Sequence, residues 1–305
     1  MKNAGISIIC CILSLVIAVL ITVPKNKEEN NLNIKKEISV LLTNENKIVK
    51  MDINQYVLCV LRGEMPADFE EQALMAQAVA IRTYIAKKMN FVNDKHPEAC
   101  VCTDYAHCMA YVDENDARKN WGDKFEEYNK KLNKAVNETK ILIMTYKGEP
   151  ISAVFHAISS GKTENSNDVW SGGEVPYLKS VDSIEDTNVE GYLSETKVSL
   201  NEFYNKLRLE NIGDIEYEHT EGGSVKNIII GNEKFKGTEI RTLFNLRSAN
   251  FTIKFEDEVV VFKVKGYGHG VGLSQRGANE CAKNGMNYID ILKKYYKGIE
   301  IINIE

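Results

Sequence analysis

Arg62-Gly63-Glu64-Met65-Pro66, followed by Glu71-Gln72-Ala73-Leu74-Met75-Ala76-Gln77-Ala78-Val79-Ala80-Ile81-Arg82-Thr83-Tyr84, is the stretch around which the fold is organised. Alanines at 73, 76, 78 and 80 let other elements approach closely, while Leu74, Met75, Val79 and Ile81 fill space, so Phe69 to Met89 reads as a buried helix. Gly63 and Pro66 constrain the backbone just ahead of it. Glu64 then has two readings. It complements the dipole of the helix that follows, or it is a carboxyl desolvated beside Met65 and kept protonated, as a general acid must be.

Outward from this helix the pattern is mixed. Ile38–Thr43 and Lys47–Ile53 read as strands joined by Asn44-Glu45-Asn46, and Asp52 or Asn54 caps a short helix through Tyr56 to Leu61. A second, polar helix is expected over Asp113–Lys140. Apolar strands at Ile141–Tyr146 and Ile151–Ile158 flank Lys147-Gly148-Glu149-Pro150, a hairpin signal. Ser199-Leu200-Asn201-Glu202 is a capping box opening a helix to Leu207. Strands are expected at 224–230, 250–255 and 258–264, and a closing helix at 287–296. Strands and helices without a regular βαβ rhythm indicate an α+β domain over 37–305, with a smaller insert at about 187–246.

The 305 residues are 44% hydrophobic and 27% charged, enough for a full core and unlike a disordered chain. A net charge of −5 without a Lys/Arg block excludes a nucleic-acid partner. Residues 4–23 carry no charge and at ~1.5 Å per residue span roughly the hydrocarbon core of a bilayer, predicting a transmembrane signal anchor over 1–24 and a polar linker over 25–36. Ile21-Thr22-Val23-Pro24 is a poor cleavage site. The flanking charges leave the orientation open.

Three clusters can carry chemistry. His156 is followed by Ala157-Ile158-Ser159-Ser160-Gly161-Lys162-Thr163-Glu164, polar residues at the end of an apolar strand where sites are commonly built; a satisfied polar turn is the plainer reading. No nucleophile-elbow pattern surrounds Ser159, Ser160 or Ser274, which argues against a serine hydrolase. The glycine-rich run Gly266-Tyr267-Gly268-His269-Gly270-Val271-Gly272-Leu273-Ser274-Gln275-Arg276-Gly277 suits a ligand-facing loop but lacks the ending of a nucleotide loop. Finally, His96, Cys100, Cys102, His107 and Cys108 have metal-like spacing: His96, Cys102, His107 and Cys108 are the first-choice zinc ligands, with Cys100 as substitute, and a disulfide or free thiols as the rivals.

Taken together, Gly63-Glu64-Met65-Pro66, the alanine-rich helix, Phe155-His156 with Ser159–Glu164, and Gly268–Ala278 resemble the stage II sporulation protein D family. The resemblance implies a membrane-anchored lytic transglycosylase, lodged in the mother-cell membrane with its catalytic domain extracytoplasmic, cleaving peptidoglycan strands stripped of stem peptides during engulfment. It implies stage II sporulation proteins M and P as partners. It assigns the catalytic role to Glu64, and substrate contacts to Arg82, Tyr84, His156, Ser159, Ser160, Thr163, Glu164, Tyr267, His269 and Gln275. Where family members usually show Ser-Thr-Ser-Gly-Gly after the histidine, this chain has Ala157-Ile158-Ser159-Ser160-Gly161. The Cys/His cluster resembles a structural zinc site of clostridial members; no cofactor is implied for catalysis. Related amidase enhancers leave a regulatory binder as the alternative, and a zinc-dependent wall hydrolase is a third. If the reaction were hydrolysis, Glu164 or Asp104 would be examined as the second carboxylate.

Overall fold

The computed structural model describes residues 34–89, 91 and 94–304. A hairpin opens the fold: β1 (Glu37–Leu42) pairs antiparallel with β2 (Lys47–Asp52), and Asn46 takes the left-handed conformation the tight turn requires. The Asp52 carboxylate accepts from the N–H groups of Asn54 and Gln55, capping α1 (Ile53–Glu64). This helix runs longer than its apolar stretch suggests and ends on Glu64. The alanine-rich helix, α2 (Glu71–Lys88), is buried on nearly all sides, as its composition demands. Against it pack α1, α4 and β4, together with the last two helices of the chain.

β3 (Val101–Cys102) lies parallel to β1 and carries the Cys/His loop onto the hairpin. The single polar helix expected over 113–140 is broken at Gly122, whose φ of 51° is left-handed; α3 (Glu114–Trp121) and α4 (Phe125–Glu138) result. β4 (Leu142–Tyr146) turns through Lys147 and Gly148, both at positive φ, into β5 (Glu149–Pro150). Past Pro150 the ladder gives one more bond, from the Ile151 N–H to the Met144 carbonyl, and of the strand expected over Ile151–Ile158 only β6 (Phe155–His156) forms. A short helix, α5 (Ser166–Val169), follows.

A second apolar cluster is built on β7 (Leu193–Ser199), α6 (Leu200–Leu207), β8 (Ile215–His219), β9 (Val225–Ile230), β10 (Glu233–Lys236), α7 (Gly237–Leu243), β11 (Phe251–Glu256) and β12 (Val259–Lys265). Phe203, Phe244, Phe251 and Phe262 are at its centre. The cluster extends past the 187–246 insert to Val264 because β12 is the middle strand of its sheet, between β11 and β7. The chain then returns to the first core through β13 (Leu273–Ser274), parallel to β6, then α8 (Gln275–Lys283), α9 (Tyr288–Tyr295) and β14 (Glu300–Asn303).

The membrane-spanning helix expected over 4–23 lies outside the described residues, and among those described no helix is long and apolar enough to cross a membrane. The fold class is corrected to α+β without that helix, and the single-pass membrane location loses its structural basis. Even α2, 18 residues long, carries Glu71, Arg82, Lys87 and Lys88 and is sheathed by protein.

Candidate active site

Gly63 decides where Glu64 can act. A side chain at Gly63 would meet the Ala110 carbonyl carbon at 2.9 Å, so only glycine allows this segment to lie against the end of α1. The close approach lets the Ala110 N–H donate to Glu64 Oε1 at 2.7 Å, while the Val112 N–H donates to the Cys59 carbonyl one turn back. From the other side Gln275 Nε2 donates to Glu64 Oε2 at 3.4 Å. Burial lifts the Glu64 pKa above its ordinary value, against the opposing pull of the Ala110 and Gln275 hydrogen bonds. Its place in the last turn of α1 corrects the expected dipole effect. The negative end of the helix also disfavours the carboxylate there, whereas the first turn of α2 would have favoured it.

Glu64 lines a cleft of about 240 Å³ together with Pro66, Phe69, Ala157, Ile158, Glu190, Arg247, Tyr267, Gln275 and Arg276. Of the substrate contacts expected from sequence, Tyr267 and Gln275 line it. Ser160 is half-buried and spends its hydroxyl on the Gly222 carbonyl. His156, Ser159, Thr163, Glu164 and His269 stand outside the lining. Parallel pairing of β6 with β13 sets His156 beside Ser274, and Ser274 Oγ accepts from the N–H groups of Ser159 and Gly277 while donating to Asp186. That hydroxyl caps α8 and so aims Gln275 at Glu64. Thr163 closes a turn with Lys179 and Val181, and Glu164 accepts from the Ser224 N–H, with side-chain-free Gly222 and Gly270 packed against it.

The two histidines are neutral. His156 donates from Nδ1 to the Val271 carbonyl at 3.2 Å, and burial holds its pKa down at about 3. His269 Nδ1 accepts from the Val271 N–H at 3.1 Å, and burial followed by the charge of Arg241 lowers its pKa to about 4. Neither serves as an acid near neutral pH. Asp186, which no local pattern marks, sits fully buried between the Ser183 and Ser274 hydroxyls, with burial raising its pKa to about 6.

Two assignments require correction. Arg82 has no exposed surface: its guanidinium donates to Asn54 Oδ1 at 3.0 and 2.9 Å, and to the Leu142 and Val136 carbonyls, pinning α1, α4 and β4 together. Tyr84 faces the Cys/His loop, with its hydroxyl on Cys108. In contrast, Glu190, Arg247 and Arg276 enter the cleft without having been singled out. Arg276 had a signal, being next to Gln275 in the glycine-rich motif, but Glu190 and Arg247 lie in stretches with no pattern of their own.

The side-chain donor atoms of His96, Cys102, His107 and Cys108 all lie within 4.8 Å of one another. His107 Nδ1 is 3.4 Å from Cys102 Sγ, and His96 Nε2 is 3.5 Å from Cys108 Sγ. A tetrahedron with metal–sulfur bonds of ~2.3 Å and metal–nitrogen bonds of ~2.05 Å has S···N edges of about 3.5 Å, so this ligand set fits zinc. His96 Nδ1 donates to the Ala99 carbonyl at 2.8 Å, which leaves Nε2 as the ligating atom. Cys100 is not one of the four donors.

The family model for SpoIID, stage II sporulation protein, matches residues 42–146, which include Glu64 and the Cys/His loop. Stage II sporulation protein D of Bacillus amyloliquefaciens is 36% identical over 270 residues, covering 87% of this chain and 78% of the relative; the same figures hold for the protein of that name from Bacillus subtilis (strain 168). The amidase enhancer of Bacillus subtilis (strain 168) is 28% identical over 297 residues, 78% of this chain but 39% of that protein. The extent of these matches makes this chain a member of the stage II sporulation protein D family.

Proposed function

We propose that the chain is a lytic transglycosylase that cleaves the glycan strands of peptidoglycan, within the sporulation-related role its family membership carries. The observation that supports this reading is a single shielded carboxyl, Glu64, held in a cleft whose neighbouring histidines are neutral. Protonated Glu64 donates to the glycosidic oxygen, and the C1–O bond breaks with the leaving sugar taking the proton. The resulting Glu64 carboxylate then accepts the proton of the muramyl C6 hydroxyl, whose oxygen closes on C1 to give a 1,6-anhydro end and regenerates the acid. The nucleophile belongs to the substrate, so effective concentration replaces a positioned water.

Hydrolysis needs a second carboxylate about 5 to 9.5 Å away. Glu164 and Asp104 do not line the cleft; Glu190 does. Mass spectrometry of strands digested by the purified chain is expected to show ends one water lighter than reducing ends. Reducing ends would instead make Glu190 the base of a hydrolase. No cleavage by the protein alone would favour a regulator, as the name of the amidase enhancer suggests for that relative. Stage II sporulation proteins M and P are the partners assigned within this proposal.

His96, Cys102, His107 and Cys108 are assigned a structural zinc ion. Four protein ligands leave no open coordination position for a substrate, which argues against a metallohydrolase. Coordination by these four side chains would cross-link the loop that leads directly into Ala110, the donor to Glu64. The purified chain is expected to carry about one zinc, and chelation or Cys108→Ser to lower Tm by ~10 °C or more. Metal-free protein of unchanged Tm would refute the assignment.

A further inference from the structure

Asp186 is a carboxylate that the chemistry at Glu64 leaves unused. It is fully buried and does not line the cleft, so it touches no substrate there. Its two oxygens face hydroxyl groups from different parts of the chain: Ser183 Oγ donates to Oδ2 at 2.7 Å, and Ser274 Oγ donates to Oδ1 at 2.8 Å. Ser183 and Ser274 are fully buried as well, as is Tyr295, whose hydroxyl lies 2.7 Å from Ser183 Oγ. A serine hydroxyl has one proton to give. With the Ser183 proton committed to Asp186, Tyr295 is the donor in that pair, and every hydroxyl proton in the cluster runs towards the carboxylate.

The direction of these protons matters at Ser274. Its oxygen accepts from the Ser159 N–H at 3.3 Å and from the Gly277 N–H at 3.2 Å, which uses both lone pairs and holds only while its own proton points at Asp186. Those two bonds tie the motif after β6 to the first turn of α8. A side chain at Gly277 would collide with Tyr295, Asp186 and Ser183, so glycine alone lets the helix begin directly over the carboxylate. The first residue of that helix is Gln275, whose Nε2 reaches Glu64 Oε2 at 3.4 Å.

We infer that ionised Asp186 is a positioning residue for cleavage: by taking the Ser274 proton it holds the start of α8 in place and keeps the Gln275 amide on Glu64. The inference rests on the glycan-cleaving reading of Glu64. Protonating Asp186 adds a donor to a cluster whose hydroxyls already point inward, so one hydroxyl turns away or a buried N–H is left unpaired. Burial raises the Asp186 pKa to about 6, against the Ser183 and Ser274 hydrogen bonds. Its titratable neighbours hold their states there. Burial opposes the charges of Glu185 and Lys294, but their contact at 2.7 Å outweighs it, lowering the Glu185 pKa and raising that of Lys294. Burial raises the pKa values of Cys281, Tyr192 and Tyr295, which stay neutral.

Cleavage of glycan strands by the full chain is followed from about pH 4 to 8, together with the Gly277 amide signal in the NMR spectrum of protein isotope-labelled at glycine. Wild-type kcat is expected to fall as the pH drops through about 6 while KM holds, and the Gly277 signal to move over the same range. Asp186→Asn, which cannot ionise, should lower kcat about ten- to a hundredfold at neutral pH, abolish that acid limb and remove the movement of the Gly277 signal. Ser274→Ala takes away the hydroxyl between Asp186 and α8. It should show the same loss without the limb, and adding Asp186→Asn to it should cost little more. If Asp186→Asn does not fold, the wild-type signal and the Ser274→Ala profile decide alone. An acid limb that survives either substitution, or a Gly277 signal that stays still in the wild type, overturns the inference. Anhydro ends produced with no such limb remove Asp186 and leave the lytic reading intact. A Gly277 signal that titrates in a chain that cleaves nothing does the reverse, keeping the hold of Asp186 on α8 and removing the lytic reading.

Discussion

Glu64→Gln is expected to fold and to lower strand cleavage by about 10²–10⁴-fold, the contribution of a positioned general acid. The amide nearly preserves the shape, and its oxygen can still accept the Ala110 N–H now received at 2.7 Å. What it cannot do is release a proton to the glycosidic oxygen. A pH profile checks the same residue: wild-type cleavage should decline as pH rises through the raised pKa of Glu64, because the protonated form is depleted there. The sign for stability follows from burial. A carboxyl whose folded pKa lies above its unfolded value of 4.5 prefers the proton in the folded state. The fold therefore bears no cost below the unfolded pKa, acquires one as pH climbs towards the folded pKa, and bears it fully above. Glu64→Gln removes that cost, so the variant should have the higher Tm at pH 7, with the difference vanishing towards pH 4. Cleavage at the wild-type rate would remove Glu64 from the mechanism. A wild-type protein that loses stability as the pH drops from 7 to 4 relative to the variant would show the carboxylate to be favoured by the fold, contrary to its burial.

Arg82→Leu is expected to cost about 3–5 kcal/mol, enough to threaten folding in a domain of ordinary stability. The arginine has 0% exposure and its guanidinium joins Asn54 at the start of α1 to Val136 near the end of α4 and Leu142 at the start of β4. Leucine fills only part of the volume and leaves Asn54 Oδ1 and two carbonyls without these donors. Urea unfolding monitored by circular dichroism measures the loss. If Arg82 instead touched substrate, the variant would unfold with wild-type ΔG and lose only KM or kcat, so the two outcomes are readily separated.

The contrast between Arg82 and Arg247 shows where reading the chain succeeds. The alanine-rich pattern placed α2 to within two residues of its ends, because close packing writes small residues at helical spacing. Asp52 and Ser199 were identifiable as caps because capping is a contact within three residues. The grouping of His96, Cys102, His107 and Cys108 was legible for a similar reason: the four fall within thirteen residues, and a loop that short keeps their donor atoms close together. The strand expected over Ile151–Ile158 shrank to Phe155–His156, and the single helix over 113–140 broke at Gly122, where one residue's backbone chemistry overrode a hydrophobic pattern.

By itself, then, the sequence determined the α+β class, the buried helix, the identity of Glu64 as the residue to watch and the grouping of four Cys/His donors in one loop, all signals carried by neighbours a few positions apart. Only the tertiary structure decided that Glu64 ends α1, that an N–H 46 residues away and an amide 211 residues away hold its oxygens, and that Arg82 is buried in the core while Arg247 and Arg276 line the cleft. Those outcomes depend on which distant surfaces meet and how much water they exclude. An arginine's charge is the same in either setting, so its role is set by whether its donors meet partners inside the fold.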